Sequence, residues 1–242
     1  MLGVIGLIRY RYSSKKTLVQ ANVKGTKVVL RAGTSDLGVA WNCLVNKEFD
    51  ELRLVLAPDF DGWIVDAGAH IGMSAIALSE LFPNAHIAAI EPHLGNFTML
   101  QTNVSGHSNI LPIRGALVGG ETSPRKLVDR GTGEWGFTIV ESPADKPDPE
   151  FLDNVPAFRL RDLIPDLDRI GAIKLDIEGG EVELFQLDAE TMRLVNIWIV
   201  ELHDRIVGGA TRAFLTASAG REVRKLDGEK YLSIQNEKLT VH

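Results

Sequence analysis

An α/β fold built on a mostly parallel sheet is predicted by three observations. Short apolar runs alternate with helix-like segments from about residue 62 to about residue 202, the rhythm of strand–helix–strand units with right-handed crossovers. The first run, Trp63-Ile64-Val65, leads through Asp66 into a turn bracketed by Gly68 and Gly72 and on into a helix. Glycine is needed where backbone must approach a ligand without a side chain in the way. The second run ends in Glu91, an acid roughly 20 residues past the glycine turn and placed to accept hydrogen bonds from ribose hydroxyls. Together these features describe a Rossmann-like sheet that holds a nucleoside.

The elements follow in order. Residues 28–31 read as a short strand, and Thr34-Ser35-Asp36 supply N-cap chemistry for a helix reaching about Phe49. Residues 63–66 form the first strand of the nucleotide unit, and 72–82 its helix, stopped by Pro83-Asn84. Strand 85–91, helix 95–104 and strand 109–114 continue the alternation. An insertion at about 119–156 then breaks the rhythm. Residues 126–129 and 135–140 read there as a hairpin across Gly131-Thr132-Gly133, and Pro143, Pro147 and Pro149 mark a mobile loop. It serves either as a substrate cover or as a plain surface excursion. Order resumes with 157–159 and a helix over 160–167. Strand 172–177, helix 181–187 and strand 197–202 follow. Segments 221–226 and 230–234 flank Asp227-Gly228, a hairpin signal.

The spacing of the glycines selects the nucleoside. Dinucleotide folds want G-x-G-x-x-G with the middle glycine facing the pyrophosphate. Here the pattern is Asp66-x-Gly68-x-x-x-Gly72, and His70 stands where that glycine would fall. A pyrophosphate has less room there. A smaller nucleoside tipped with an amino acid fits better, its ammonium end near Asp66, which points to S-adenosylmethionine. An NAD-dependent oxidoreductase is the alternative enzyme class, disfavoured by the missing glycine. A non-catalytic protein of the same fold is the other, disfavoured by the intact glycines and acids.

Bulk properties agree with a compact enzyme. The 242 residues are 45% hydrophobic and 24% charged, an ordinary globular balance with ample core. Residues 1–50 read as an extension packed on the core, and 51–242 as the main domain. The net charge is −6, and Arg9, Arg11, Lys15 and Lys16 are the only basic grouping, so nucleic acid is not an expected partner. Cys43 is the only cysteine, which excludes an internal disulfide and a cysteine-based zinc site. It reads as a small buried apolar residue. The apolar stretch 1–8 is too short to span a bilayer, and it lacks the flanks of a signal peptide. It reads as a strand or helix packed on the domain, with no transmembrane segment and a cytoplasmic location. Homo-oligomerisation stays open.

A second cluster carries the chemistry. In Lys174-Leu175-Asp176-Ile177-Glu178-Gly179-Gly180-Glu181 the apolar positions make a buried strand, so Asp176 and Glu178 fall near its carboxyl end. Ligands of open α/β sheets bind at that edge. Burying these acids beside a lysine is costly unless they are paired or contact a ligand. The bland alternative pairs Lys174 with Glu181 or Asp176, with Glu181 only capping the next helix.

These residues resemble the FkbM-type methyltransferases, a branch of the class I S-adenosylmethionine-dependent enzymes. That family shows runs close to V-D-x-G-A-N-x-G, E-P, K-x-D-x-E-G-x-E and E-L-H. They read here as Val65 to Gly72, Glu91-Pro92, Lys174 to Glu181 and Glu201-Leu202-His203. Arg31-Ala32-Gly33-Thr34-Ser35-Asp36 and Lys47-Glu48-Phe49-Asp50 resemble an element many members carry upstream. The likeness covers about residues 28–205. One departure stands out: the family's usual asparagine is His70, which either replaces its contact with the cofactor's amino-acid end or faces the acceptor and takes a proton.

The resemblance implies a seven-stranded sheet closed by a C-terminal antiparallel hairpin, with helices on both faces. It also implies methyl transfer to a hydroxyl of a small molecule, a sugar or a natural-product scaffold. Asp66, Ala67, Gly68, His70, Ile71 and Gly72 would line the methionine end, Glu91 would bind the ribose, and Pro92 would lie near the adenine. Phe97 belongs either there or in the core. Arg114 and Ala116 would border the adenine edge, and Asp176 would lie below the methyl group. An alcohol is a poor nucleophile while protonated, so a base within reach helps. The candidates are Asp176, Glu178 and His203, the last with the best-placed ordinary pKa. The alternative for His203 is a bond to a backbone carbonyl. A divalent metal held by Asp176, Glu178 and Glu201 or His203 is a variant that spacing does not fix.

Overall fold

A computed structural model describes residues 14–146 and 148–236. The apolar stretch 1–8, Arg9, Arg11 and Pro147 lie outside the described residues. The chain opens with a hairpin, β1 (Leu18–Val23) and β2 (Thr26–Arg31), antiparallel with Leu18 opposite Arg31. Only β2 is foreseen from sequence. The turn Lys24-Gly25 has φ values of 55° and 102°, the positive pair that suits a two-residue hairpin. Helix α1 (Asp36–Leu44) ends five residues earlier than the sequence pattern suggests, and a 3₁₀ turn (Asp50–Leu54) follows.

The central sheet then forms from β3 (Trp63–Ala67), β4 (His86–Glu91), β5 (Ile110–Arg114), β11 (Ile170–Leu175), β12 (Ile197–Glu201), β13 (Arg221–Lys225) and β14 (Lys230–Gln235). Its seven strands run in the order β13-β14-β12-β11-β3-β4-β5. β5, β4, β3, β11 and β12 pair in parallel. β14 enters antiparallel beside β12 and pairs antiparallel with β13. The sheet is the expected one, hairpin included.

Successive strand residues face opposite layers, and two core clusters record this. Ile64, Ile87, Ala89, Ala172, Ile197 and Ile199 join one cluster with α2 (Met73–Leu81), α3 (Leu94–Val104), α1 and the hairpin. Val65, Ala88, Ile90, Ile173, Trp198 and Val200 join the other, with α4 (Leu160–Leu163), α5 (Glu181–Leu187), α6 (Ala189–Leu194) and α7 (Ala210–Ala217). Helices therefore cover both faces, as a parallel sheet requires. The expected helix over 160–167 is one short turn, and α6 and α7 are additional.

The insertion is more ordered than its prolines suggest. β7 (Arg125–Asp129) pairs antiparallel with β8 (Phe137–Thr138), as the hairpin reading expects. β9 (Glu150–Val155) pairs with the other edge of β7, where the sequence suggests a loop. Its side chains are mostly exposed, so it carries no apolar alternation for a sequence pattern to detect. β6 (Ala116–Leu117) and β10 (Ala157–Phe158) pair in parallel at the root of the insertion.

Candidate active site

The glycine turn after β3 is shaped by two close approaches. Gly68 has φ +81°, and a Cβ there would lie 1.8 Å from the Asp176 carbonyl oxygen. Gly72 has φ +90° and packs against Leu100. Only glycine tolerates both the left-handed backbone and the contact. The N–H groups of Gly68 and Ala69 donate to the Ile90 carbonyl at 3.0 and 2.9 Å, stitching the turn to β4.

Glu91 holds the turn from the other side. Its carboxylate accepts from the backbone N–H of His70 and of His93, each at 2.9 Å. Burial pushes its pKa up to about 7 in spite of those donors. His70 has φ +50°, and its Nε2 lies 3.3 Å from Nη2 of Arg31. Arg31 in turn forks onto the buried Asp36 at 2.9 and 2.8 Å. Burial first, then the Arg31 and Lys174 charges, lower His70 to about 4 against the pull of Asp36. It is neutral at neutral pH.

At the end of β11, Lys174 Nζ donates to the Gly68 carbonyl at 2.7 Å and lies 3.2 Å from Asp66 and 3.7 Å from Asp176. Burial opposes its charge, yet the two aspartates hold its pKa above the ordinary value. Lys174 thus pairs with Asp176 as one sequence reading allows, and with Asp66, but not with Glu181. Glu181 instead accepts from the N–H of Ile177 and Gly179 at 3.1 and 2.9 Å and lies 2.9 Å from His203 Nδ1.

His203 is wholly buried, and its Nε2 faces Asp176 Oδ1 at 3.7 Å and Glu178 Oε1 at 3.6 Å. Burial would lower its pKa, but the hydrogen bond and charge of Glu181, then Glu178 and Asp176, raise it to about 9. Glu178 is raised to about 7, burial outweighing the opposing pull of His203 and Arg130. Arg130, itself fully buried, bonds both Glu178 and Asp145. Asp176, Glu178 and His203 place one donor atom each within 4.8 Å of one another, as do Glu201, His203 and Glu229.

A cavity of about 290 Å³ runs along these strand ends. Of the residues expected from sequence, Gly68, His70, Glu91, Pro92, Ala116, Asp176, Glu178 and Glu201 line it. The others do not reach its wall. Asp66 is fully buried behind the turn, held by Lys174 and by the Ser74 hydroxyl at 2.5 Å. Ala67, Ile71 and Gly72 pack in the core or against α3. Arg114 turns outward to Asp153 at 2.5 Å. Phe97 packs against the core cluster. His203 lies beneath Asp176 and Glu178, not on the cavity wall, because Glu181 draws its ring inward.

The lining also includes residues that sequence reasoning passed over. Asn42, Cys43 and Phe49 come from α1 and the turn after it, Trp135 and Phe137 from the insertion, and Lys230 from β14. Cys43 is buried, with its pKa raised well above the ordinary value by burial first, so it stays a thiol. Asn96 reaches the cavity from α3 and also donates to the Glu134 carbonyl at 2.8 Å. No local pattern marks Asn42, Cys43 or Lys230 as site residues, which converge only through the fold, whereas Phe49 belongs to the upstream element and Trp135 and Phe137 to the possible substrate cover.

Residues 66–226 match the Methyltransferase FkbM domain family. Methyltransferase 1 of Beauveria bassiana (strain ARSEF 2860) is 28% identical over 183 residues, covering 67% of this chain and 73% of its own length. Methyltransferase sdnD of Sordaria araneosa is 30% identical over 173 residues, covering 57% of this chain and 65% of its own length. Among solved structures, M. jannaschii TYW2 in complex with AdoMet overlays with a TM-score of 0.47 at 12% identity, over 92% of this chain and 85% of that one. No helix among the described residues is long and apolar enough to cross a membrane.

Proposed function

Because the chain belongs to the FkbM methyltransferase family, we propose that it transfers the methyl group of S-adenosylmethionine to a hydroxyl of a small molecule, a sugar or a natural-product scaffold. The observation that carries this reading is the cavity itself. It runs from Glu91 at the end of β4 past Gly68 to Asp176 and Glu178 beyond β11, along the strand ends where such sheets bind ligands. Family membership also removes the dinucleotide oxidoreductase alternative.

The residues present fit the nucleoside. Nδ1 of His70 and Oδ1 of Asn96 are buried without a hydrogen-bond partner among the described residues, and both residues line the cavity. A ligand carrying hydroxyl and amino groups satisfies such atoms, which are costly left unpaired. Gly68 and His70 would hold the amino-acid end, Glu91 the ribose hydroxyls, and Pro92 and Ala116 the adenine. Bound there, S-adenosylmethionine supplies a sulfonium-activated methyl group, the C–S electron pair staying on sulfur when an oxygen attacks. Much of the acceleration then rests on alignment by the cavity walls. Asp176, whose side chain is 34% exposed, is placed to accept the proton that the acceptor hydroxyl gives up. Trp135 and Phe137 supply apolar surface for the acceptor and exclude water.

Two measurements test the reading. Calorimetry should give one site for S-adenosylhomocysteine and none for NADH. Incubation with methyl-labelled cofactor and a panel of polyols, glycosides, phenols and amines should label at least one hydroxyl. Binding of NADH without S-adenosylhomocysteine would overturn the cofactor, and label found only on nitrogen would overturn the acceptor.

A further inference from the structure

We propose that Asp176, Glu178 and His203 form a binding site for a divalent cation of the Mn²⁺ kind in the floor of the cavity. Its catalytic use rests on the methyl-transfer reading above, but its geometry does not. Nε2 of His203 lies 3.7 Å from Asp176 Oδ1 and 3.6 Å from Glu178 Oε1. All three donor atoms fall within 4.8 Å of one another. An ion about 2.0–2.3 Å from each donor, the usual range for imidazole and carboxylate ligands, needs ligand atoms separated by about these distances.

Acidic residues alone would not make a site. The independent observation is the imidazole. His203 has no exposed side-chain surface, and its Nε2 has no hydrogen-bond partner among the described residues. It is aimed between the two carboxylates. Leaving a buried nitrogen unpaired costs free energy that a ligand would recover.

The surroundings fix each donor in the orientation that a metal requires. Glu181, fully buried, bonds Nδ1 of His203 at 2.9 Å. A carboxylate on the far ring nitrogen is the usual support of a metal-bound histidine, and the ion displaces the Nε2 proton to take that nitrogen as its ligand. Arg130 and Arg205 engage the other oxygen of Glu178, and Lys174 sits beside the other oxygen of Asp176. One oxygen of each acid is therefore left for the ion. One imidazole with two carboxylates suits Mn²⁺ better than Ca²⁺, which prefers an all-oxygen shell. The neighbouring group of Glu201, His203 and Glu229 is weaker, because Glu229 is exposed while Glu178 is buried.

The consequence for catalysis is direct. An acceptor hydroxyl whose oxygen binds the cation loses its proton more readily. The O–H bond would break with its proton passing to Asp176 or to water, and the oxygen's electron pair would form the bond to the methyl carbon as the C–S bond breaks, that pair staying on the sulfur of the departing S-adenosylhomocysteine.

The test uses the whole chain, stripped with EDTA and titrated with Mn²⁺ by calorimetry and electron paramagnetic resonance. One Mn²⁺ per chain is expected, with nitrogen coupling from one imidazole. Glu181→Gln should weaken binding 10- to 100-fold, Asp176→Asn at least 10-fold, and His203→Ala should abolish both binding and nitrogen coupling. No stoichiometric Mn²⁺ binding by the wild type would overturn the site. So would full affinity in Asp176→Asn, which decides the matter should His203→Ala fail to fold. S-adenosylhomocysteine is titrated into the same metal-free samples. Binding of nucleoside without Mn²⁺ sinks only the cation site, and Mn²⁺ without nucleoside sinks only the methyl-transfer reading.

Discussion

Glu91 carries two tasks that sequence position alone does not separate. Its place at the tip of β4 is what a ribose ligand needs, and its carboxylate also clamps the backbone of His70 and His93. Glu91→Ala should therefore weaken S-adenosylhomocysteine by about 1.5–3 kcal/mol, through loss of hydrogen bonds to its carboxyl group, and lower folding stability by about 2 kcal/mol, by leaving the N–H groups of His70 and His93 without an acceptor. Calorimetry and urea unfolding measure the two effects separately. Unchanged nucleoside affinity would remove Glu91 from the ribose. The parts of the site legible in the sequence are those where adjacent residues carry the geometry: Glu91 ends β4, and Gly68, His70 and Asp176 belong to turns directly after strands. What sequence does not reveal depends on distant partners. The bond of Glu181 to His203 takes that imidazole out of the cavity wall, and the ion pair of Arg130 with Glu178 joins the insertion to the end of β11.

Among the elements, legibility follows burial. β3, β4 and β12 are buried on both faces, so they read as continuous apolar runs and their limits are found to within a residue or two. β9 is exposed along most of its length and is formed by pairing rather than by apolar pattern, so it reads as loop. The insertion it completes is tied to the site by Arg130, which has no exposed side-chain surface, and by the Thr138 hydroxyl, which donates to the Glu178 carbonyl at 2.6 Å. Removing one partner of a buried ion pair typically costs about 3–5 kcal/mol, because the other charge stays buried. Arg130→Ala should cost up to that amount and concentrate it locally. Hydrogen exchange should rise across residues 125–155 while β3, β4 and β11 keep their protection. A uniform rise over the whole chain would mean that the insertion does not open independently.

Across the whole molecule, the strand order β13-β14-β12-β11-β3-β4-β5 brings the carboxyl ends of β4, β3, β11 and β12 to one edge, and two apolar layers hold that edge rigid. The same rigidity buries ionisable groups, and this sets how folding responds to pH. His70 is lowered from 6.5 to about 4, by burial first. It contributes stability that is complete above pH 6.5 and is lost as the pH falls towards 4. Glu91 is raised from 4.5 to about 7, again by burial first. Its contribution is complete below pH 4.5 and is lost as the pH rises towards 7. The two effects are each about 3 kcal/mol and run in opposite directions, so between pH 7 and 4 they largely cancel in the wild type. His70→Asn removes one of them. Relative to the wild type, the variant should gain about 3 kcal/mol between pH 7 and pH 4, read from urea unfolding at several pH values. A difference between the two proteins that stays constant over that interval would show that His70 is not held neutral in the folded chain.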